Sequence, residues 1–157
     1  MINSTMKGDI FETDAKHIAF AVNTEGANDA GFAGQVARLW PEIANTGEQA
    51  LGTVLSKKIG DKTYHALVCH SLKNGWGDNQ AEVIKNCFDA IPVEVGEKIA
   101  SIAIGSGLIG QLSGANLRQI VVGMCDSKHD IVLYGFSIEA VKKCYEEEKN
   151  STDGHGV

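Results

Sequence analysis

The sequence predicts an α/β sandwich built on a mixed sheet, and three observations carry that expectation. Short apolar runs that read as buried strands, KHIAFAVN (16–23) and IASIAI (99–104), alternate with stretches whose apolar residues recur at helical spacing. A Gly60-Asp61 pair divides GTVLSKKIGDKTYHALVCHS (52–71) into two strands, which is a hairpin signal and supplies antiparallel pairing. Finally, 157 residues that are 43% hydrophobic and 22% charged suit one domain with a sizeable core.

The elements follow in order. Residues 16–23 end in Asn23 after a continuous apolar run, as expected for a strand buried on both faces. TEGANDAG (24–31) is a loop of Gly, Asn and Asp. Phe32, Val36, Leu39 and Trp40 then recur at helical spacing, and Pro41 marks the boundary of that helix. Beyond the hairpin, Asp78 is placed to cap a helix whose Ile84, Cys87, Phe88 and Ile91 line one face. The strand at 99–104 runs into a glycine loop, and Ala115, Leu117, Ile120, Val121 and Met124 form the next helical stripe. DIVLYGF (130–136) is the last strand, and Ser137 caps a final helix carrying Ile138, Val141 and Tyr145. Past Glu146 the apolar period is lost, so a single domain over 1–146 and a disordered tail over 147–157 are expected. There is no internal repeat and no linker.

Charge and composition remove several classes of function. The net charge is −6 and the basic residues are scattered, whereas a binder of double-stranded nucleic acid usually carries a basic stripe. A small anionic ligand stays open, because backbone N–H groups hold phosphate without side-chain charge. Cys69, Cys87, Cys125 and Cys144 form no C-x-x-C pair and sit in apolar settings, which suits free thiols in a reducing compartment. No signal peptide and no stretch of about 18 apolar residues is visible, so a cytoplasmic protein without a membrane span is expected. His65 and His70 share one strand at an odd separation, which places them on opposite faces, and no metal site is expected.

Chemistry enters with glycine. Gly105, Gly107 and Gly110 match G-x-G-x-x-G, a spacing at which backbone N–H groups cradle phosphate, although a structural turn explains it too. A dinucleotide fold would put this motif in an early βαβ unit, with an acid about 20 residues later at a strand end. Here it comes after two-thirds of the chain with one strand left, and Asp126 and Asp130 precede that strand. The reading as a nicotinamide-dependent oxidoreductase fails on position. A second loop of the same character lies in VNTEGANDAGFAGQVARLWPE (22–42), again strand, glycine-rich loop, helix. Two such loops at the C-terminal ends of neighbouring strands would clasp a diphosphate between them.

With KGDIF (7–11), VNTEG followed by AGFAGQVARLWPE, IAIGSGL (102–108) and VLYGF (132–136) in order over residues 5–145, the chain resembles a macro domain, the ADP-ribose-binding module. It looks closest to the branch containing terminal ADP-ribose glycohydrolases and ADP-ribose-1″-phosphate phosphatases. The resemblance implies a three-layer α/β/α sandwich with a mixed central sheet. It also implies ADP-ribose, or an ADP-ribosylated macromolecule, as partner, with no cofactor. It matches Asp9 to an aspartate that accepts from the adenine amino group, Ile10 to a residue beside the base, and Asn23 to an asparagine near the distal ribose. Ala30, Gly31, Phe32 and Ala33 match the first diphosphate loop. Ser106, Gly107, Leu108 and Ile109, led in by Gly105, match the second, and Phe136 matches an aromatic packed against adenine. Each has a plainer competitor: a turn acid for Asp9, a loop cap for Asn23, a core ring for Phe136.

The departures bear on catalysis. Asp29 stands where relatives commonly have Gly and brings negative charge toward the phosphates; Gly26 replaces a second asparagine, and Phe20 a histidine. Ile109 and Ser113 occupy the candidate positions of the aspartate that hydrolases of this branch usually carry. Lys73 lies near the place of a reactive lysine in the terminal glycohydrolases, with Trp76 beside it, and its competitor is an ordinary surface lysine. Together these favour a binding module with weak or no hydrolase activity over an ADP-ribosyl glycohydrolase or an ADP-ribose-1″-phosphate phosphatase.

Overall fold

The computed structural model describes residues 1–73, 79–102 and 114–155, the side chains of 114–116 and 151–155 excepted. Six strands, β1 (Ile2–Met6), β2 (His17–Asn23), β3 (Val54–Ile59), β4 (Lys62–His70), β5 (Lys98–Ile102) and β6 (Asp130–Tyr134), form one sheet in the order β1-β6-β5-β2-β4-β3. Every neighbouring pair is parallel except β3 with β4, whose hairpin turns at Gly60-Asp61 as the sequence predicts. The helices are α1 (Gly31–Val36), α2 (Gln80–Asp89), α3 (Gly114–Asp126) and α4 (Ile138–His155).

Alternation along the strands splits the core in two. Leu67 and Cys69 of β4 join Ile99, Ile131 and Leu133 in a cluster covered by Ile84, Cys87 and Phe88 of α2, by Ile120, Val121 and Met124 of α3, and by Val141 of α4. Tyr64, Ala66 and Val68 join Ile18, Phe20, Val22 and Val132 on the other face, under Val36, Trp40, Ile43 and Ile10. The sheet is therefore the middle of three layers, and the stripes expected on α2 and α3 are the ones that face it. Cys69 and Cys87 are buried, Cys125 and Cys144 half-buried, and all four are free. Among the described residues no helix is long and apolar enough to cross a membrane, and no three His, Cys, Asp or Glu side chains are grouped to hold a metal.

Four features differ from the sequence expectation. β1 was not anticipated: Ile2 is its one buried residue, so INSTM carries no period, and its order comes from pairing with β6. α1 stops at Val36, earlier than the apolar spacing implies. The N–H groups of Leu39 and Trp40 both return to the Val36 carbonyl at 2.8 Å, and Pro41 then opens a 3₁₀ turn, Pro41–Ala44, with Trp40, outside the helical region, as its N-cap residue. Asn79 is the N-cap residue of α2, and Asp78 lies outside the described residues. α4, capped by Ser137 Oγ accepting from Ala140 N at 3.1 Å, stays helical past Glu146 to His155, where a disordered tail was expected. Polar contacts take over there from apolar ones: Lys149 lies 3.2 Å from Asp126, Arg118 lies 3.6 Å from Glu148, and the Tyr145 hydroxyl donates to Asp126 at 3.0 Å.

A hydrogen-bonded row of side chains crosses β3, β4 and β2 and ends just before β5. Ser56 Oγ is 2.7 Å from His65 Nδ1, His65 Nε2 is 3.0 Å from His17 Nδ1, and His17 Nε2 is 2.8 Å from Glu97 Oε2. Burial, then the neighbouring His17 and His129, lower the His65 pKa to about 4.

Candidate functional site

Parallel pairing sends the C-terminal ends of β1, β2, β4 and β6 to one edge of the sheet. Residues 7–9, 24–31, 71–73 and 135–137 follow those ends, so topology alone gathers them there. Between β2 and β4 the register slips: Val22 pairs with Val68 but Asn23 with His70, leaving one extra residue on β4. The Thr24 N–H then reaches the His70 carbonyl at 2.9 Å.

The loop from β2 to α1 is knitted by its own asparagines. Asn23 Nδ2 donates to the Ala27 carbonyl at 2.7 Å, and its Oδ1 accepts from Ala27 N at 3.1 Å. Asn28 Oδ1 accepts from Asn23 N at 3.0 Å, while its Nδ2 donates to the Ile43 carbonyl at 3.1 Å. Both asparagines are buried, so these bonds satisfy groups that burial would otherwise leave unpaired. Gly26 stands where the loop leaves no room for a side chain. It has φ +79°, and a Cβ there would stand 2.1 Å from the Gly47 carbonyl oxygen, so no side chain fits. The loop closes on α1 at Ala30, Gly31, Phe32 and Ala33, with Ala30 as N-cap residue and no side-chain cap.

Asp9 is exposed and caps the 3₁₀ turn Ile10–Glu12, its Oδ1 accepting from Phe11 N at 2.9 Å. Ile10 is the buried underside of that turn. Phe11 stacks on Phe32 with ring centres 5.2 Å apart and planes 17° from parallel. Phe32 also contacts Phe20 at 6.0 Å, and Phe20 is fully buried in the core. Asp9, Ile10, Phe32 and Ala33 therefore meet on one side of the sheet. Phe136 is half-buried and packs against the other cluster, the one under α2, α3 and α4.

Lys73 is exposed, on a turn whose backbone is tied back to the glycine loop. Glu25 Oε1 accepts from Leu72 N and Oε2 from the Ser71 hydroxyl, each at 2.7 Å. The Leu72 N–H first, and then the Ser71 hydroxyl, hold the Glu25 carboxyl at a pKa of about 2. Burial lowers the pKa of His70 nearby, and the Glu25 charge opposes that shift in part. Phe11 and Glu25 escape a reading of the sequence. Phe11 lies inside the KGDIF motif and could have been found there as an aromatic next to Asp9. The contacts of Glu25 lie 46 and 47 residues away, and no local pattern reports them. Gly105, Ser106, Gly107, Leu108, Ile109 and Ser113, with Trp76, lie outside the described residues.

No family model matches the chain, and no curated protein matches it. Solved structures do. The macrodomain of Mycobacterium tuberculosis DarG superposes with a TM-score of 0.63 at 20% identity, over 87% of this chain and 99% of that one. A glycine-to-valine mutant of the Oceanobacillus iheyensis macrodomain with ADPR gives a TM-score of 0.58 at 16% identity, over 98% and 97%. Alphavirus P23pro-zbd gives 0.61 at 11% identity, and this chain, 95% covered, spans only 24% of that longer chain. At these identities the likeness is one of fold, and the fold is that of macrodomains.

Proposed function

We propose that this protein binds ADP-ribose, free or attached to a macromolecule, at the C-terminal edge of its sheet. The observation that carries the reading is the meeting of Asp9 and the Phe11–Phe32 stack with the glycine loop at one strand edge. A nucleoside diphosphate needs a carboxylate for the base, an apolar surface for its ring and backbone donors for its phosphates. Asp9 uses Oδ1 on Phe11 N, and its other oxygen accepts from the adenine amino group. Ile10 supports the turn from below, and the Phe11–Phe32 stack offers the base an apolar surface. Phe136, matched to the adenine aromatic by the resemblance, packs in the cluster on the other face of the sheet and is left out of the adenine site. The diphosphate is assigned to Ala30–Ala33 and to Gly105–Ile109, which lie outside the described residues, and the loop that Asn23 ties to Ala27 is assigned to the distal-ribose end. The ADPR in the Oceanobacillus structure supports the choice of ligand. Four free thiols suit a reducing, cytoplasmic setting.

The test is calorimetry with ADP-ribose, where a micromolar-class affinity, about −8 kcal/mol, is expected. Gly107→Val should remove binding from a chain that still folds, because a side chain there blocks backbone approach to phosphate. Unchanged affinity in that variant would sink the second phosphate loop.

A second reading, release of ADP-ribose from a modified macromolecule, is favoured by one observation: the Lys73 turn is bonded to the glycine loop through Glu25. A lysine there could attack an opened sugar. General acid–base help is worth about 10²–10⁴-fold, so a site with Ile109 and Ser113 in place of a carboxylate turns over slowly. Ile109→Asp should raise ADP-ribose release, and adding Lys73→Ala should abolish the gain. Robust turnover by wild type, undiminished by Lys73→Ala, would overturn both the preference for binding and the role of Lys73.

A further inference from the structure

The glycine loop and the lysine-bearing turn follow different strands, and one side chain spans them. Glu25 leaves the β2–α1 loop and meets Ser71 Oγ and Leu72 N, both at 2.7 Å. The Ser71 hydroxyl oxygen in turn accepts the Lys73 N–H at 3.1 Å. Three consecutive residues are thus arranged around one carboxylate. We infer that Glu25 is a positioning residue whose carboxylate sets the turn Ser71–Lys73 against the glycine loop, so that loop and turn engage the ligand as one unit. The inference rests on the ADP-ribose reading of this edge and adds to it a residue acting through its neighbours.

A direct ligand contact by Glu25 is the competing role, and the geometry speaks against it. Both carboxylate oxygens already accept hydrogen bonds from the turn. A carboxylate beside a diphosphate also repels it, so in a direct role Glu25 would weaken binding. The bonds it makes are charge-assisted, stronger than neutral ones, and one runs to a backbone N–H, which fixes main chain rather than a mobile side chain. The upstream bond from Thr24 N to the His70 carbonyl at 2.9 Å holds the adjoining backbone of β2 and β4 in the same relation. Glu25 extends that attachment past the end of the strand to the residue that carries the amine.

The two roles predict opposite signs. If Glu25 acts only through its charge, removing it relieves repulsion and ADP-ribose binds as well or better. If it sets the turn, removing it weakens binding. Glu25→Gln discriminates further, since its amide keeps an acceptor for Leu72 N–H and a donor for Ser71 Oγ while losing the charge.

The experiment takes the full chain as wild type, Glu25→Ala and Glu25→Gln. Amide hydrogen exchange at Leu72 and Lys73 is followed without ligand, and ADP-ribose affinity by calorimetry. Glu25→Ala should speed exchange at both amides by roughly ten-fold or more and weaken ADP-ribose by about five-fold or more. Glu25→Gln should stay within about two- to three-fold of wild type in both. Affinity in Glu25→Ala equal to or tighter than wild type overturns the inference. So does unchanged exchange at Leu72, and so does a loss in Glu25→Gln as large as in Glu25→Ala, which would make charge the cause. A wild type that does not bind ADP-ribose removes the site reading and this inference with it. That outcome differs from failure of the inference alone, in which wild type and Glu25→Ala bind equally.

Discussion

Gly26→Ala is the sharpest probe of how the glycine loop is seated. Two costs follow from the structure. Gly26 has φ +79°, and an L residue in left-handed backbone costs about 1–2 kcal/mol. The added Cβ would also lie 2.1 Å from Gly47 O, 2.7 Å from Gly47 C and 2.8 Å from Gly47 N. Those are backbone atoms and cannot rotate away. The neighbouring chain is held by Thr46 N donating to Gly26 O at 3.1 Å and by the Ala27–Asn45 bridge, so relief means moving the loop. Such overpacking costs about 1–3 kcal/mol, which brings the total to roughly 2–5 kcal/mol. Gly60→Ala is the control: φ +65°, but nothing within 4 Å of the added Cβ, so only the backbone cost applies. Urea denaturation at constant slope reads both, and thermal midpoints should fall by roughly 4–20 °C for Gly26→Ala against about 2–8 °C for Gly60→Ala. If the two variants lose equal stability, the close seating of the loop on Gly47 is wrong.

Three further outcomes are expected. His65 has a folded pKa of about 4, lowered mainly by burial, against an ordinary value of 6.5, so the unfolded chain binds the extra proton first. Stability should be complete above pH 6.5 and decline as pH falls toward 4; His65→Gln should flatten that decline, and an unchanged profile in equilibrium denaturation would refute it. Glu25, held at about pH 2, should show an NMR titration midpoint well below that of an ordinary glutamate, and Ser71→Ala should raise it. Asp9→Ala should weaken ADP-ribose by about 1.5–3 kcal/mol while hardly affecting ribose-5-phosphate, which has no base. Because Asp9 also caps a turn, equal loss for both ligands by calorimetry would assign the effect to folding.

The legible parts of this chain were those written in a local period. The strand of residues 17–23, the Gly60-Asp61 hairpin and the apolar faces of α2 and α3 each announce themselves within one element. β1 does not, since an edge strand with one buried residue draws its order from a partner more than 120 positions away. At the site, the glycines and Asp9 could be picked out, but Asn23 reads the same whether it ties a loop or meets a sugar. The structure shows the tie, to both backbone groups of Ala27. Glu25 looked like any loop acid because its bonds bring together two strand ends that the sequence separates.

The place of β1 also has a consequence for synthesis. Ile2 pairs with Ile131 and Met6 with Tyr134, so β1 finds its partner only when β6 has emerged. The hairpin β3–β4 and the pairing of β2 with β4 close much shorter loops and are available well before that. β5 can then add to β2, leaving its outer edge open until β6 arrives. During elongation the nascent chain therefore carries an unpaired parallel edge, and INSTM, polar at its three central positions, waits in water without a continuous apolar face to aggregate.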